Sequence, residues 1–185
     1  MKVHSLAELA TGKPIDQWVV LGPFVIRTSP HFEREYIYER ARILDVDYLE
    51  ANGGEARVQP GVGQAHPNPG IGPTTLAWRP YEGNDLHGMR IAGDAIYETV
   101  QRNCVIYAAA RIDAHADGLA LLTAEHSGMK AWMNGELVCN EPYGRTKGVR
   151  ITMQPKPVRL RHGERDVVGH RPLLDGRGSR DRAFG

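Results

Sequence analysis

Two runs of alternating apolar and polar residues flank Asn134-Gly135 in the stretch from Gly128 to Val138. Asn-Gly takes positive φ readily at both central positions of a tight turn, and that geometry suits the right-handed twist of two paired strands. The stretch predicts a β-hairpin. Along its first arm Met129, Ala131 and Met133 share one face while Lys130 and Trp132 share the other, because strand side chains alternate with period two. Cys104 to Ile112 is the cleanest long strand, with Cys104, Ile106, Ala108, Ala110 and Ile112 on one face and Val105, Tyr107, Ala109 and Arg111 on the other. Both faces are largely apolar, which puts this strand inside a sheet. Gln17 to Leu21 reads as a buried strand stopped by Gly22-Pro23, with Phe24 returning to the core beyond the turn. Phe32 to Tyr38, where aromatics alternate with charges, predicts a strand with one wet face. Leu119 to Glu125, Val149 to Met153 and Val158 to Arg161 extend the series. Short strands at this spacing, separated by turn signals, describe a sandwich.

Helical signals are few. Ser5-Leu6-Ala7-Glu8 has the spacing in which Ser and Glu side chains satisfy each other's exposed backbone N–H, opening a short helix that Gly12 and Pro14 close. Asp45 to Gly54 predicts one or two helical turns, capped by Asp45 or Asp47 and ended by Gly53-Gly54. Pro60 to Pro73 is dense in Gly and Pro, and a strand ladder is not expected there, since Pro has no N–H to donate and Gly is costly to order. A long surface loop is the expectation. The fold class that follows is all-β, a two-sheet antiparallel sandwich with one or two short helices.

Composition agrees with one domain. The chain has 185 residues, of which 41% are hydrophobic and 24% charged, enough apolar surface for a core. No apolar run follows Lys2 and none approaches the length of a membrane span, so the expectation is a cytoplasmic protein with no membrane partner. Cys104 and Cys139 are too few for a disulfide framework or a zinc pattern, and two buried free thiols are expected. The formal net charge of +1 hides an asymmetry: Arg145 to Gly185 carries 11 Lys and Arg against 4 Asp and Glu, leaving 12 against 18 in the first 144 residues. After His162 the apolar pattern thins to Val167-Val168 and Leu173-Leu174. The expected division is therefore a β-sandwich domain over 1–164 and a basic, disordered tail over 165–185. The abrupt change of composition also admits a reading-frame change that replaced a closing strand, or a strand supplied by Val167-Val168 itself. Arginine excess in the tail would attract phosphate only non-specifically, so no specific nucleic-acid partner is expected.

Chemistry-bearing motifs are weak. Asp113-Ala114-His115-Ala116-Asp117-Gly118 matches the opening of a calcium loop, but His is a poor ligand for a hard cation and Ala124 stands where the bidentate acid belongs. A strand-to-strand turn explains the same residues. The histidines at 4, 31, 66, 87, 115, 126, 162 and 170 show no i, i+2 or i, i+4 pair that would face one metal, so no metal or cofactor is expected. Ser127 follows His126 directly, and neighbours on a strand point to opposite faces, which argues against a nucleophile–base pair. Glu33 and Glu35 lie on an alternating charged segment, the ordinary pattern of a solvated face. Gly61-Val62-Gly63 lacks the third glycine of a phosphate cradle. No catalytic set emerges, and the expectation is that the chain is not an enzyme. The aromatics are what remains. Trp78 and Tyr81 flank Arg79-Pro80 and, with Tyr143 and Arg145 beyond the hairpin, form the candidate ligand-binding set, because rings offer sugars a flat apolar face. Trp18 and Trp132 read as core, and Trp78 is evenly balanced between core and ligand.

Trp-Val-Val-Leu-Gly-Pro-Phe at 18–24, Tyr-Ala-Ala-Ala-Arg-Ile at 107–112 and Trp-Met-Asn-Gly at 132–135 together resemble the galactose-binding-domain-like β-sandwich modules that accompany bacterial glycoside hydrolases and related proteins. The resemblance runs over roughly residues 15 to 164. It implies a two-sheet jelly roll, and a non-catalytic carbohydrate-binding or accessory role with a glycan as ligand. The alternatives are a structural domain with no ligand of its own, which packs on a partner protein or on another copy through an exposed sheet edge, and a hydrolase-associated protein.

Overall fold

A computed structural model describes residues 3–5, 7, 9, 14–25, 44–82, 104–114, 116–122, 125–126, 128–141, 151–152, 156–160 and 163–173. They form strands β1 (Val3–Ser5), β2 (Gln17–Val25), β3 (Ala65–Pro67), β4 (Thr75–Ala77), β5 (Arg79–Glu82), β6 (Cys104–Ala114), β7 (Gly118–Leu122), β8 (Glu125–His126), β9 (Met129–Met133), β10 (Glu136–Glu141), β11 (Ile151–Thr152), β12 (Lys156–Leu160) and β13 (Gly163–Leu173). The fold is all-β, as expected. Among the described residues, helical geometry is confined to Ala7, Leu9, Leu44-Asp45 and a single 3-10 turn, Glu50–Asn52. The rest of the expected N-terminal helix, and the expected strand at 32–38, lie outside the described residues.

The largest sheet has seven strands in the order β10-β9-β13-β6-β2-β5, with β1 added in parallel on β6. Three two-stranded ribbons stand beside it: β3–β4, β7–β12 and β8–β11. β6 is the middle of the large sheet because β13 spans one of its edges from Cys104 to Ala114, while β2 and β1 share the other. Its two apolar faces are both used. Val105, Tyr107 and Ala109 join Val19, Leu21 and Phe24 of β2 under Tyr48, Leu49, Val58 and Trp78 of the segment 44–82. On the opposite face Ile106 and Ala108 pack with Val20 under Trp18 and Tyr81, and Ile112, Ala114 and Met133 pack under Leu9, Ile15, Ala120 and Val138.

The hairpin forms where the alternation placed it. Asn134 (φ 52°) and Gly135 (φ 78°) are both left-handed, and Met133 pairs with Glu136 across the turn. Its tip also docks: a side chain on Gly135 would collide with the Ala56 carbonyl oxygen.

Three expectations are corrected. Gly22-Pro23 does not stop the second strand. The nine residues of β2 run through a cis Gly22-Pro23 bond, and the register shifts between Leu21 and Phe24. An extra residue in a bulge changes the alternation, so Leu21 and Phe24 reach the same core cluster although they are three apart. Burying each contributes on the order of 1.5–3 kcal/mol.

The segment 60–73 is not a ladder-free loop. Ala65–Pro67 pairs with Thr75–Ala77. Gly63 (φ 82°) opens the ribbon as a bulge: its N–H donates to the Trp78 carbonyl at 2.7 Å while the Trp78 N–H donates to Gln64 at 3.0 Å. The ladder resumes at Asn68, whose N–H donates to Thr74 at 2.9 Å. Bonded positions alternate in an antiparallel pair, so Pro67 falls where its nitrogen faces away from β4 and no donor is missed.

Residues 165–173 are not tail. They make up most of β13, which pairs with β6 along its length and with Met133 to Lys130 of β9. Residues 174–185 lie outside the described ones.

Candidate functional site

Among the described residues, the densest polar chemistry lies under the segment 44–82. Asp47 shapes it: Oδ1 accepts from the Leu49 N–H at 2.8 Å and Oδ2 from the Glu55 N–H at 3.0 Å. The chain then closes its turn at Gly53, whose left-handed φ of 97° lets its N–H reach the Glu50 carbonyl. That loop lowers Glu55 onto β6. The Tyr107 hydroxyl donates to Glu55 Oε1 at 2.6 Å and accepts from the Tyr48 N–H at 3.2 Å. Phe24 closes the cluster, stacked on Tyr48 at 5.3 Å between ring centres and meeting His66 and Tyr107 edge-on at 5.9 and 5.7 Å. Lys130 and Asp45 add a loose ion pair at 3.9 Å with Asp45 exposed, a geometry that contributes little.

Burial, followed by the nearby negative charge of Glu55, pushes the Tyr48 hydroxyl up to about 12. The same two causes, with the hydrogen bond to Glu55, hold the Tyr107 hydroxyl far above the ordinary phenol range. Both phenols keep their protons near neutrality, and Tyr107 donates its own to Glu55. The arrangement latches the segment 44–58 to the sheet. Taking away the Tyr107 hydroxyl would remove the acceptor of the buried Tyr48 N–H and one hydrogen bond to Glu55, a loss of ~1–3 kcal/mol.

Of the expected ligand-binding set, Trp78 and Tyr81 fall within the described residues. Trp78 is 1% exposed and part of the core cluster, so it has no free face for a sugar. The G1-type bulge at Gly63 turns it inward. Tyr81 is half-buried in β5 and packs near Val20, Ile106 and Ala108. Tyr143 and Arg145 lie outside the described residues. Trp132 is buried as expected, and Trp18 is half-buried with its indole N–H donating to the Ile15 carbonyl at 3.0 Å. Cys104 and Cys139 are buried free thiols.

Asp113 belongs to β6, while Asp117 is exposed in the turn beyond it. His126 stands in β8 opposite Ile151. Among the described residues no three His, Cys, Asp or Glu gather as a metal set, and no helix is long and apolar enough to cross a membrane.

Two features escaped the sequence reading. The first is Glu55 with Tyr107, and its signal was a tyrosine inside an apolar central strand, since a buried hydroxyl needs a partner. The second is the outer face of the β7–β12 ribbon. Leu119 is 77% and Leu121 69% exposed, whereas Ala120 between them packs inward on the Ile112–Met133 cluster. Exposed Pro157 pairs opposite Leu121. The run Gly-Leu-Ala-Leu-Leu is apolar at both parities, and that was the available sign. No known protein family, curated protein or solved structure matches this chain.

Proposed function

We propose that the chain is a non-catalytic accessory module of the galactose-binding-domain-like jelly-roll type, which works by docking on a protein surface through the outer face of the β7–β12 ribbon. The observation that carries this reading is the exposure of Leu119 and Leu121 on one face, beside Pro157. An outward strand face is ordinarily polar, and a cluster of exposed apolar groups is characteristic of an interaction site. Burial of Trp78 removes the ring best placed to stack on a sugar, which moves the balance from carbohydrate recognition to docking. The occupant is a second copy of the chain, which offers the same apolar face. With a formal net charge of +1, a second copy of the chain meets little repulsion and is the occupant present in a purified sample.

Sedimentation velocity over a concentration series tests the proposal. Wild type should self-associate reversibly, and Leu119→Asp with Leu121→Asp should be monomeric with an unchanged melting temperature. A wild type that stays monomeric, or a variant that associates equally, refutes docking through this face. Heat on titration with polysaccharides, equal in wild type and variant, would return the reading to a carbohydrate-binding module.

A further inference from the structure

We infer that the β3–β4 ribbon holds a buried water molecule between Trp78 and His66. His66 is 0% and Trp78 1% exposed. His66 Nδ1 lies 2.6 Å from the Pro67 carbonyl oxygen. A carbonyl can only accept, so Nδ1 carries a proton, and the neutral tautomer with that proton has a lone pair on Nε2. That Nε2 and the Trp78 indole nitrogen are both buried without a hydrogen-bond partner in the protein. Their senses are opposite, one an acceptor and the other a donor.

Register places them on the same side of the ribbon. His66 pairs with Leu76, and Trp78, two residues beyond Leu76 and just past the end of β4, continues the pairing through its N–H bond to the Gln64 carbonyl. Such diagonal neighbours stand about 7–8 Å apart, within reach of aromatic side chains. An unpaired polar atom of this kind is costly, so two of opposite sense on one face define a site for a small neutral molecule that both donates and accepts. Water is the occupant that meets this chemistry: its oxygen takes the indole N–H, and one of its hydrogens goes to Nε2. Buried waters typically have two to four such partners.

Nuclear magnetic resonance on the ¹⁵N-labelled full chain tests it. The Trp78 indole signal is assigned by its loss in Trp78→Phe or, if that variant does not fold, by contacts to Leu76 and Phe24. A long-lived cross peak between this indole proton and water is expected, together with a His66 ring protonated at Nδ1 and accepting at Nε2. His66→Leu should remove the water peak and shift the indole signal, and wild type alone decides if that variant does not fold. Absence of the water peak in wild type, a coupling across a direct indole-to-Nε2 hydrogen bond, or a proton on Nε2 would overturn the assignment.

Discussion

At the scale of the residue, Tyr107 decides how the segment 44–58 is held. Its hydroxyl is the one polar tip in the run Val105 to Ala110, and it is used twice, donating to Glu55 and accepting from Tyr48. Both tyrosine hydroxyls are harder to ionise in the folded chain than in the unfolded one, where a phenol titrates near ~10. The sign follows from proton counting. Above pH ~10 the unfolded state releases these protons while the folded state retains them, so the unfolded state gains. Stability contributed by the neutral phenols is therefore complete below pH ~10 and is lost as pH rises toward about 12 for Tyr48, with Tyr107 continuing the loss beyond. Urea midpoints measured from pH 8 to 12 should be level up to ~10 and then fall. In Tyr48→Phe the fall should be shallower. An equal slope in that variant would mean that Tyr48 is not buried beside Glu55.

At the scale of the element, the hairpin β9–β10 shows what alternation can and cannot reveal. Asn134-Gly135 prescribes positive φ at both turn positions, and that much is local chemistry. The contact of Gly135 with Ala56 is not local, since it depends on where the segment 44–58 comes to rest. Gly135→Val meets both obstacles, a left-handed φ that a β-branched residue resists and a collision with the Ala56 carbonyl. The domain should lose ~1–3 kcal/mol, read as a lowered melting temperature. A melting temperature equal to wild type would remove both the turn and its docking. The same division explains the other elements. The central strand β6 was legible because its apolar residues occur at both parities, and Asp47 and Gly53 were legible as the ends of a short turn. The β3–β4 ribbon was hidden because Gly and Pro density is normally hostile to a ladder; here Gly63 makes a bulge, and Pro67 falls at a position that donates nothing to its partner. Trp78 could not be assigned from sequence for the same reason, as the bulge sets which way it faces. Of the candidate ligand-binding residues the fold therefore returns one as core, and the polar cluster that does form joins residues 52 positions apart.

At the scale of the whole molecule, β13 determines whether there is one large sheet or two pieces. It lies between β6 and β9, so among the described residues the hydrogen-bonded ladder that joins β9 and β10 to the rest of the large sheet runs through it. Composition pointed the other way. Arg165, Asp166, Arg171 and Gly169 dilute Val167-Val168 to the point where no alternating face stands out, and a strand inserted between two partners gains much of its support from backbone hydrogen bonds that hydropathy does not register. Val168 pairs with both Ala109 and Trp132, and Val167 with both Ala110 and Met133, which puts the two apolar residues of this stretch at the centre of the pairing. The consequence is testable by truncation after Gly163. If β13 were dispensable, the shortened chain would keep its cooperative transition and a β-type far-ultraviolet spectrum. The pairing instead requires that removal of 164–173 expose one edge of β6 and one of β9, both flanked by buried apolar side chains, and break the ladder that joins the hairpin to β6. Unpaired edges of that kind recruit other chains. The truncated protein should therefore lose its cooperative melt and sediment as aggregate, whereas truncation after Leu173 should leave both the melt and the spectrum in place. A cooperative, monomeric product of the first truncation would show that β9–β10 is held to the sheet by something other than β13.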